Sequence, residues 1–230
     1  MPGEEDGQMK SGDFVYIDYV ARIKDTGEIF DVTNEDVAKK EGVFNEKIKY
    51  GPVPVIVDAG FVIVGLNESV KEMNVGEKKK VVINPERAFG ERSEEVVKLI
   101  PEARFREQGI DLVPSSYVMI NNLRGKIVSI DGGRVKVDFN HPLAGKALEY
   151  EIEIVQEIKE NSDKIGAVVY YFTGVRKEKL EVQLKENVVE IEMKGIDVVL
   201  ETKKAIASQI TKWVPEVEIV KFIDIFKRTE

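Results

Sequence analysis

The run Leu148-Glu149-Tyr150-Glu151-Ile152-Glu153-Ile154 alternates apolar and acidic residues without interruption, which fits a strand with one buried face and one face in water. The hairpins just upstream are poor partners for such a strand. Better ones lie near the start of the chain. Phe14 to Ile23 alternates and is rich in β-formers, Lys24-Asp25-Thr26-Gly27 supplies turn chemistry, Ile29-Phe30 resume the strand pattern, and Lys79 to Ile83 makes another strand. Thr33 with Asp36 reads as the N-cap and first-turn carboxylate of a short helix ended by Gly42. Asn67 to Met73 reads as two helical turns with Val70 and Met73 on one face and Gly76 as a stop. The first unit is therefore a small antiparallel sheet around one short helix, completed by the strand at 148–154 after an insertion.

Within the insertion, Pro101 suits a helix N1 position with the helix running to Glu107. Strand-like runs follow at Tyr117–Ile120, Lys126–Ile130 and Val135–Phe139, and Asp131-Gly132-Gly133 turns the last two into a hairpin. Beyond Gln156 and the polar stretch Lys159 to Lys164 a third unit begins. Ala167–Phe172 is strand-like, Leu180, Val182 and Leu184 alternate, and so do Val189, Ile191 and Met193 across a Lys185-Glu186-Asn187 turn. Val199, Ile206, Ile210 and Trp213 recur at helical spacing from about Asp197 until Pro215. The closing strand, Val217 to Phe226, is apolar on both sides and needs two covers, of which a second subunit is one candidate.

The chain has 230 residues, enough for more than one domain. With 34 Lys+Arg against 42 Asp+Glu its formal charge is −8, which gives no electrostatic help to nucleic-acid or anionic-lipid partners. Cysteine is absent, removing disulfides, thiolate nucleophiles, iron–sulfur clusters and cysteine-based zinc sites. The single histidine, His141, sits beside Pro142 and reads as a loop hydrogen-bonder, because a metal site needs partners that this composition lacks. No apolar run reaches the roughly 20 residues of a membrane span, and Met1 to Asp13 is polar, without a signal-peptide core. A cytoplasmic protein without membrane or nucleic-acid partners is expected. No Walker or dinucleotide fingerprint is present, and the carboxylates are too scattered to nominate an acid–base pair. An aromatic and aliphatic pocket is the chemical tool left.

Several separated motifs then occur in a specific order: Tyr19-Val20-Ala21-Arg22, Thr26-Gly27-Glu28-Ile29-Phe30-Asp31, Val62-Ile63-Val64-Gly65-Leu66, Met73-Asn74-Val75-Gly76-Glu77-Lys78, Pro85-Glu86-Arg87-Ala88-Phe89-Gly90 and Leu148-Glu149-Tyr150. This series resembles the FKBP family of peptidyl-prolyl isomerases. The segment between, with its Asn140-His141-Pro142-Leu143-Ala144-Gly145 return, resembles the insert-in-flap domain of SlyD-like members, and the C-terminal unit resembles that of long archaeal members. The resemblance implies an α+β fold: an FKBP-like antiparallel half-barrel around a short helix over 1–90 and 139–155, an inserted small β-rich domain over 91–138, and a C-terminal α+β domain over 156–230. It also implies isomerisation of X-Pro bonds in peptides and in unfolded or partly folded proteins, with no cofactor or metal.

Carried over motif by motif, Tyr19, Phe30, Asp31, Val62, Ile63, Leu66, Phe89 and Tyr150 line the pocket, with Phe30 and Tyr150 as walls, Leu66 as floor and the Ile63 backbone as donor to a substrate carbonyl. The small drug-binding members carry tryptophan where this chain has Leu66 and tyrosine where it has Phe89, which cannot donate a hydrogen bond. In the insert, Val96, Val97, Leu99, Ile100, Phe105, Leu112, Met119 and Ile120 are too many apolar residues for a small unit to bury completely. The family likeness makes them a surface for unfolded chains. The rival to catalysis is a non-catalytic holdase that uses the pocket as a clamp, and the candidate roles of the C-terminal domain are homodimerisation through its last strand or a further chaperone surface.

Overall fold

A computed structural model of the chain describes residues 8–225. It opens with β1 (Phe14–Ile23), β2 (Ile29–Val32), α1 (Glu35–Lys40), β3 (Val53–Ile56), α2 (Val64–Lys71) and β4 (Lys78–Ile83). Next come β5 (Val97–Pro101), α3 (Glu102–Glu107), β6 (Tyr117–Ile120), β7 (Leu123–Asp131) and β8 (Arg134–Asp138). Last are β9 (Leu148–Glu157), α4 (Asn161–Thr173), β10 (Leu180–Lys185), β11 (Val188–Met193), α5 (Leu200–Trp213) and β12 (Ile219–Ile223). Two compact units result, one holding the residues up to Val82 with those from Glu149 onward, the other Ile83–Leu148. Among the described residues no helix is long and apolar enough to cross a membrane.

In the first unit the strand order is β2-β1-β9-β4, with β3 also on β1. β1 is long enough to hold two partners in succession: Phe14–Ile17 pairs with β3, and Val20–Arg22 pairs with β2 through a bulge between Ala21 and Arg22. The alternating strand thus lies in the sheet begun by the N-terminal residues. Its acidic face meets β4 lysines, Lys80 with Glu149 at 2.7 Å and Lys78 with Glu153 at 3.0 Å. On its other face Leu148, Tyr150, Ile152 and Ile154 are buried, as are Val15 and Ile17 of β1 and Leu66, Val70 and Met73 in and after α2. Such a face needs a cover, and α2 offers on its buried side apolar residues of the kind required. Its exit is tied to β9 by backbone bonds between Gly76 and Ile154 (2.7 Å) and between Ile154 and Glu77 (3.2 Å).

The opposite face of β1 carries Phe14 and Tyr16, and the C-terminal elements pack there. Phe14 and Ile56 share one core with Ile165, Val168 and Val169 of α4, Val189 and Ile191 of β11, and Ile206 and Ile210 of α5. The C-terminal sheet runs β10-β11-β12, with β10 antiparallel to β11 and β12 parallel to it across the α5 crossover. Val220 and Phe222 face the core, whereas Ile219, Ile223 and Ile225 are exposed. Phe226, the last residue of the expected closing strand, lies outside the described residues.

Four local expectations are corrected. Ala167–Phe172 is part of the helix α4, not a strand. Its continuous β-branched and aromatic run cannot be told from a buried helix by periodicity, and the helix instead puts Ile165, Val168 and Val169 inward and ends at Gly174 in the left-handed region. Asn34, not Thr33, caps α1, accepting from the Val37 amide at 3.0 Å. Thr33 is engaged elsewhere, donating to Asp18 at 2.7 Å and accepting from the Tyr19 amide at 2.9 Å. α2 begins at Val64, three residues early, because Ile63 caps it without any side-chain signature. Pro101 is the N-cap of α3, one position before N1, because it also closes β5.

The second unit is a four-stranded antiparallel sheet ordered β5-β8-β7-β6 over a core of Ile100, Phe105, Val118, Ile127, Val135 and Val137. Gly125 is required in β7, since a Cβ there would strike Val137 and the Phe139 ring. The base of the unit is bracketed by its own ends. Asn140 donates to the Ser93 carbonyl and accepts from the Ser93 amide, both at 2.9 Å, and Arg92 pairs with Asp138. Burial would raise the Asp138 carboxyl, but hydrogen bonds from Asn140 and the Arg92 cation outweigh it and hold the group below its ordinary value.

Candidate active site

Three aromatic rings from three strands meet on the face of the first sheet that buries Leu148, Ile152 and Ile154. Tyr19 of β1 lies 5.7 Å from Tyr150 of β9 with the rings tilted by 53°. Phe30 of β2 meets Tyr150 edge-on at 6.0 Å and 78°. Such separations and angles are favourable for aromatic pairs. The strand order explains the meeting, because β1 is flanked by β2 and β9 and the period of two turns Tyr19 and Tyr150 to the same side. Asp31, opposite Ala21 across the bulge, is exposed, and the Tyr19 hydroxyl donates to its Oδ2 at 2.6 Å.

Burial, followed by the Asp31 carboxylate that accepts its hydrogen bond, pushes the Tyr19 phenol well above its ordinary value. Tyr150, only 5% exposed, is raised in the same direction by burial and then by Asp31. Both rings are therefore neutral through the ordinary pH range. Each presents an apolar ring with a polar tip.

Val62, Ile63 and Leu66 lie on the segment leading into α2. Val62 and Ile63 are half-buried and Leu66, in the first turn, is 3% exposed. As the helix cap, Ile63 lends its carbonyl to the amides of Leu66 and Asn67 at 3.1 and 3.0 Å, and no hydrogen bond from its own amide is made among the described residues. Phe89 belongs to the second unit, where its ring stacks on His141 at 4.2 Å and 5°. There His141 Nδ1 accepts from the Leu143 amide at 3.2 Å, a loop role.

Sequence reasoning missed what pins the Ile63 segment. Phe61 stacks face-to-face on Tyr171 of α4 at 3.8 Å and meets Phe172 edge-on at 6.1 Å. At the other end of the same turn Asp58 receives bonds from Lys71 (2.7 Å) and from Asn67 (2.7 Å). Those donors hold its carboxyl below the ordinary value. The adjacency of Phe61 to Val62 was the available signal.

In the insert, Ile100 and Phe105 are taken up by the unit's own core, so neither offers a surface to a partner. Leu112 and Ile120 pack partly against that core, and Val97 is half-buried. Val96, Leu99 and Met119 are exposed.

Three clustered aromatic rings on one face of an antiparallel half-barrel, with a small β-domain inserted between β4 and β9, match the class of fold that the FKBP-like motif order implies. Comparison with known proteins agrees. Residues 98–143 match the family model described as FKBP26, IF domain, and residues 161–227 match FKBP26 C-terminal. The chain is 34% identical over 146 residues to a short-type peptidyl-prolyl cis-trans isomerase of Methanocaldococcus jannaschii, spanning 64% of this chain and 92% of that protein. It is 34% identical over 109 residues, 45% of this chain and 71% of the relative, to a probable FKBP-type 16 kDa peptidyl-prolyl cis-trans isomerase of Pseudomonas fluorescens. With the FKBP-type isomerase SlyD of Haemophilus influenzae identity is 30% over 139 residues, 58% of this chain and 70% of the relative. The chain belongs to the FKBP-type peptidyl-prolyl cis-trans isomerases, in their SlyD-like form with an insert-in-flap domain.

Proposed function

We propose that this chain accelerates cis–trans exchange of X-Pro bonds in unfolded and partly folded proteins, with Tyr19, Phe30, Asp31, Val62, Ile63, Leu66 and Tyr150 forming the site. The reading rests on the meeting of Tyr19, Phe30 and Tyr150. Rotation about a peptide bond costs roughly 18–20 kcal/mol, chiefly lost resonance, and X-Pro bonds keep both isomers close in energy. The twisted transition state is less charge-separated than the planar amide, so a water-poor hollow favours it over the ground state. A thousandfold acceleration asks for only about 4 kcal/mol, within reach of desolvation plus one hydrogen bond from the Ile63 amide. Asp31 steadies the Tyr19 ring through its 2.6 Å hydrogen bond, and no proton transfer is needed.

The insert is proposed to hold clients while the half-barrel acts. Two chain crossings tether it, so a held chain presents its X-Pro bonds at raised effective concentration. Replacing residues 91–138 by a short loop is expected to leave exchange in a short X-Pro peptide intact and to slow the refolding of a proline-limited protein at least tenfold, as avidity arithmetic allows. Loss of neither rate would remove the holding role. Client binding by the intact protein without any acceleration of the peptide would leave the clamp reading instead.

The proposed setting is the cytoplasm, where a chain without cysteine is indifferent to reducing conditions. Two copies are proposed to pair through β12, an edge strand whose Ile219 (49% exposed) and Ile223 lie uncovered, as does Ile225 just beyond it. Light scattering should then give twice the monomer mass, reduced to the monomer by Ile223→Glu; a monomeric wild type would refute the pairing.

A further inference from the structure

The outer face of the insert's sheet, opposite its core, carries apolar and cationic side chains together. Cross-strand register places Tyr117 beside Lys126, Met119 beside Arg124, and Leu99 beside Lys136. Leu99, Met119 and Tyr117 are 61%, 57% and 45% exposed. Arg124 lies over the Tyr117 ring at 4.0 Å. None of Arg124, Lys126 and Lys136 is ion-paired among the described residues, whereas Arg92 pairs with Asp138 and Arg106 with Glu102. Asp138, across from Lys126, is 8% exposed and its carboxylate is engaged by Arg92 and Asn140. The half-barrel differs, since there Lys78 and Lys80 of β4 are answered by β9 glutamates. Charge follows the same division. Residues 83–148 hold ten Lys/Arg against nine Asp/Glu within a chain of net charge −8.

We infer that this face selects extended client segments in which apolar residues are interspersed with acidic ones. The inference rests on the insert holding clients and names which ones. Exposed apolar side chains on a sheet supply non-directional affinity, and uncompensated cations between them make an acidic neighbour favourable and a basic one unfavourable. Leu99 and Met119 among the cations, and the negative whole chain, favour a polypeptide over a nucleic acid.

The test uses the full chain and three fluorescently labelled unstructured peptides of identical Leu, Phe and Tyr content, spaced by Glu, Gln or Lys. At low salt the Glu peptide should bind about tenfold tighter than the Gln peptide, as three exposed charge pairs allow, and the Lys peptide should bind most weakly. Raising salt to about 0.5 M should collapse the differences while leaving the shared apolar affinity. The double variant Lys126→Glu/Lys136→Glu should invert the order. The neutral pair Lys126→Gln/Lys136→Gln should level it, and serves if charge reversal impairs folding. Equal binding of the three peptides by the wild type overturns this inference alone. Binding of none overturns it together with the holding role, while peptide isomerisation stands. Tighter binding of a single-stranded oligonucleotide than of the Glu peptide would assign the face to another class of partner and overturn it as well.

Discussion

Tyr150→Ala is expected to lower the catalysed rate of exchange in a short X-Pro peptide about 100-fold, the scale of a site whose reacting group loses its positioning, while Tyr150→Phe keeps most of it. Magnetization-exchange NMR measures the rate without a coupled protease. The prediction follows from the place of Tyr150 between the rings of Tyr19 and Phe30, where its removal would open the proposed hollow to water. Because this side chain is 5% exposed, the alanine variant also loses roughly 3–5 kcal/mol of stability, so rates are compared well below its thermal transition. The Phe variant separates ring from hydroxyl. Equal rates for Ala and wild type would show that the hollow is packing and nothing more. The wild-type rate should also be flat through neutral and mildly alkaline pH. Both phenols are raised in the folded protein, so the stability they contribute is fully present below the ordinary tyrosine value near 10 and fades only as pH climbs beyond it.

Ending the chain after Val155 is expected to destabilise the half-barrel by roughly 4–6 kcal/mol, counting about 1.5–3 kcal/mol for each large apolar side chain returned to water. Phe14 and Ile56, each 1% exposed, would lose their cover, and so in part would Tyr16 and Phe61. Against a typical total of about 5–15 kcal/mol the remnant is marginal, and its urea midpoint should fall accordingly. An unchanged midpoint would mean that the shared core stabilises only the C-terminal elements. The same truncation removes Tyr171, and with it the ring stacked on Phe61 beside Val62 and Ile63.

How far the sequence could be read depended on whether the signal was local. Alternation at Leu148–Ile154 and the Asp131-Gly132-Gly133 turn are properties of neighbouring residues, and the strand and the β7–β8 hairpin both occur. The bond of Thr33 to Asp18 is not local, so neighbouring residues alone point to a cap one position early. Ala167–Phe172, within α4, satisfies both the strand and the helix template, and only its packing chooses between them. The shared core was legible in principle. Phe14-Val15-Tyr16-Ile17 is apolar on both faces, and such a strand needs two covers, one of which is the C-terminal segment. Of the residues expected to line the pocket, Tyr19, Phe30 and Tyr150 are joined by ring contacts in the first unit, and Phe89 stacks on His141 in the second.

The position of β9 between β1 and β4 has a consequence for how the molecule comes into being on the ribosome. The strand that completes the half-barrel is synthesised only after the whole insert, whose β6, β7 and β8 pair with their immediate neighbours in sequence and so close short loops first. A nascent chain cut off before Leu148 therefore carries an open slot between two edges, and the last strand must enter that slot before the rings of Tyr19, Phe30 and Tyr150 can meet at all.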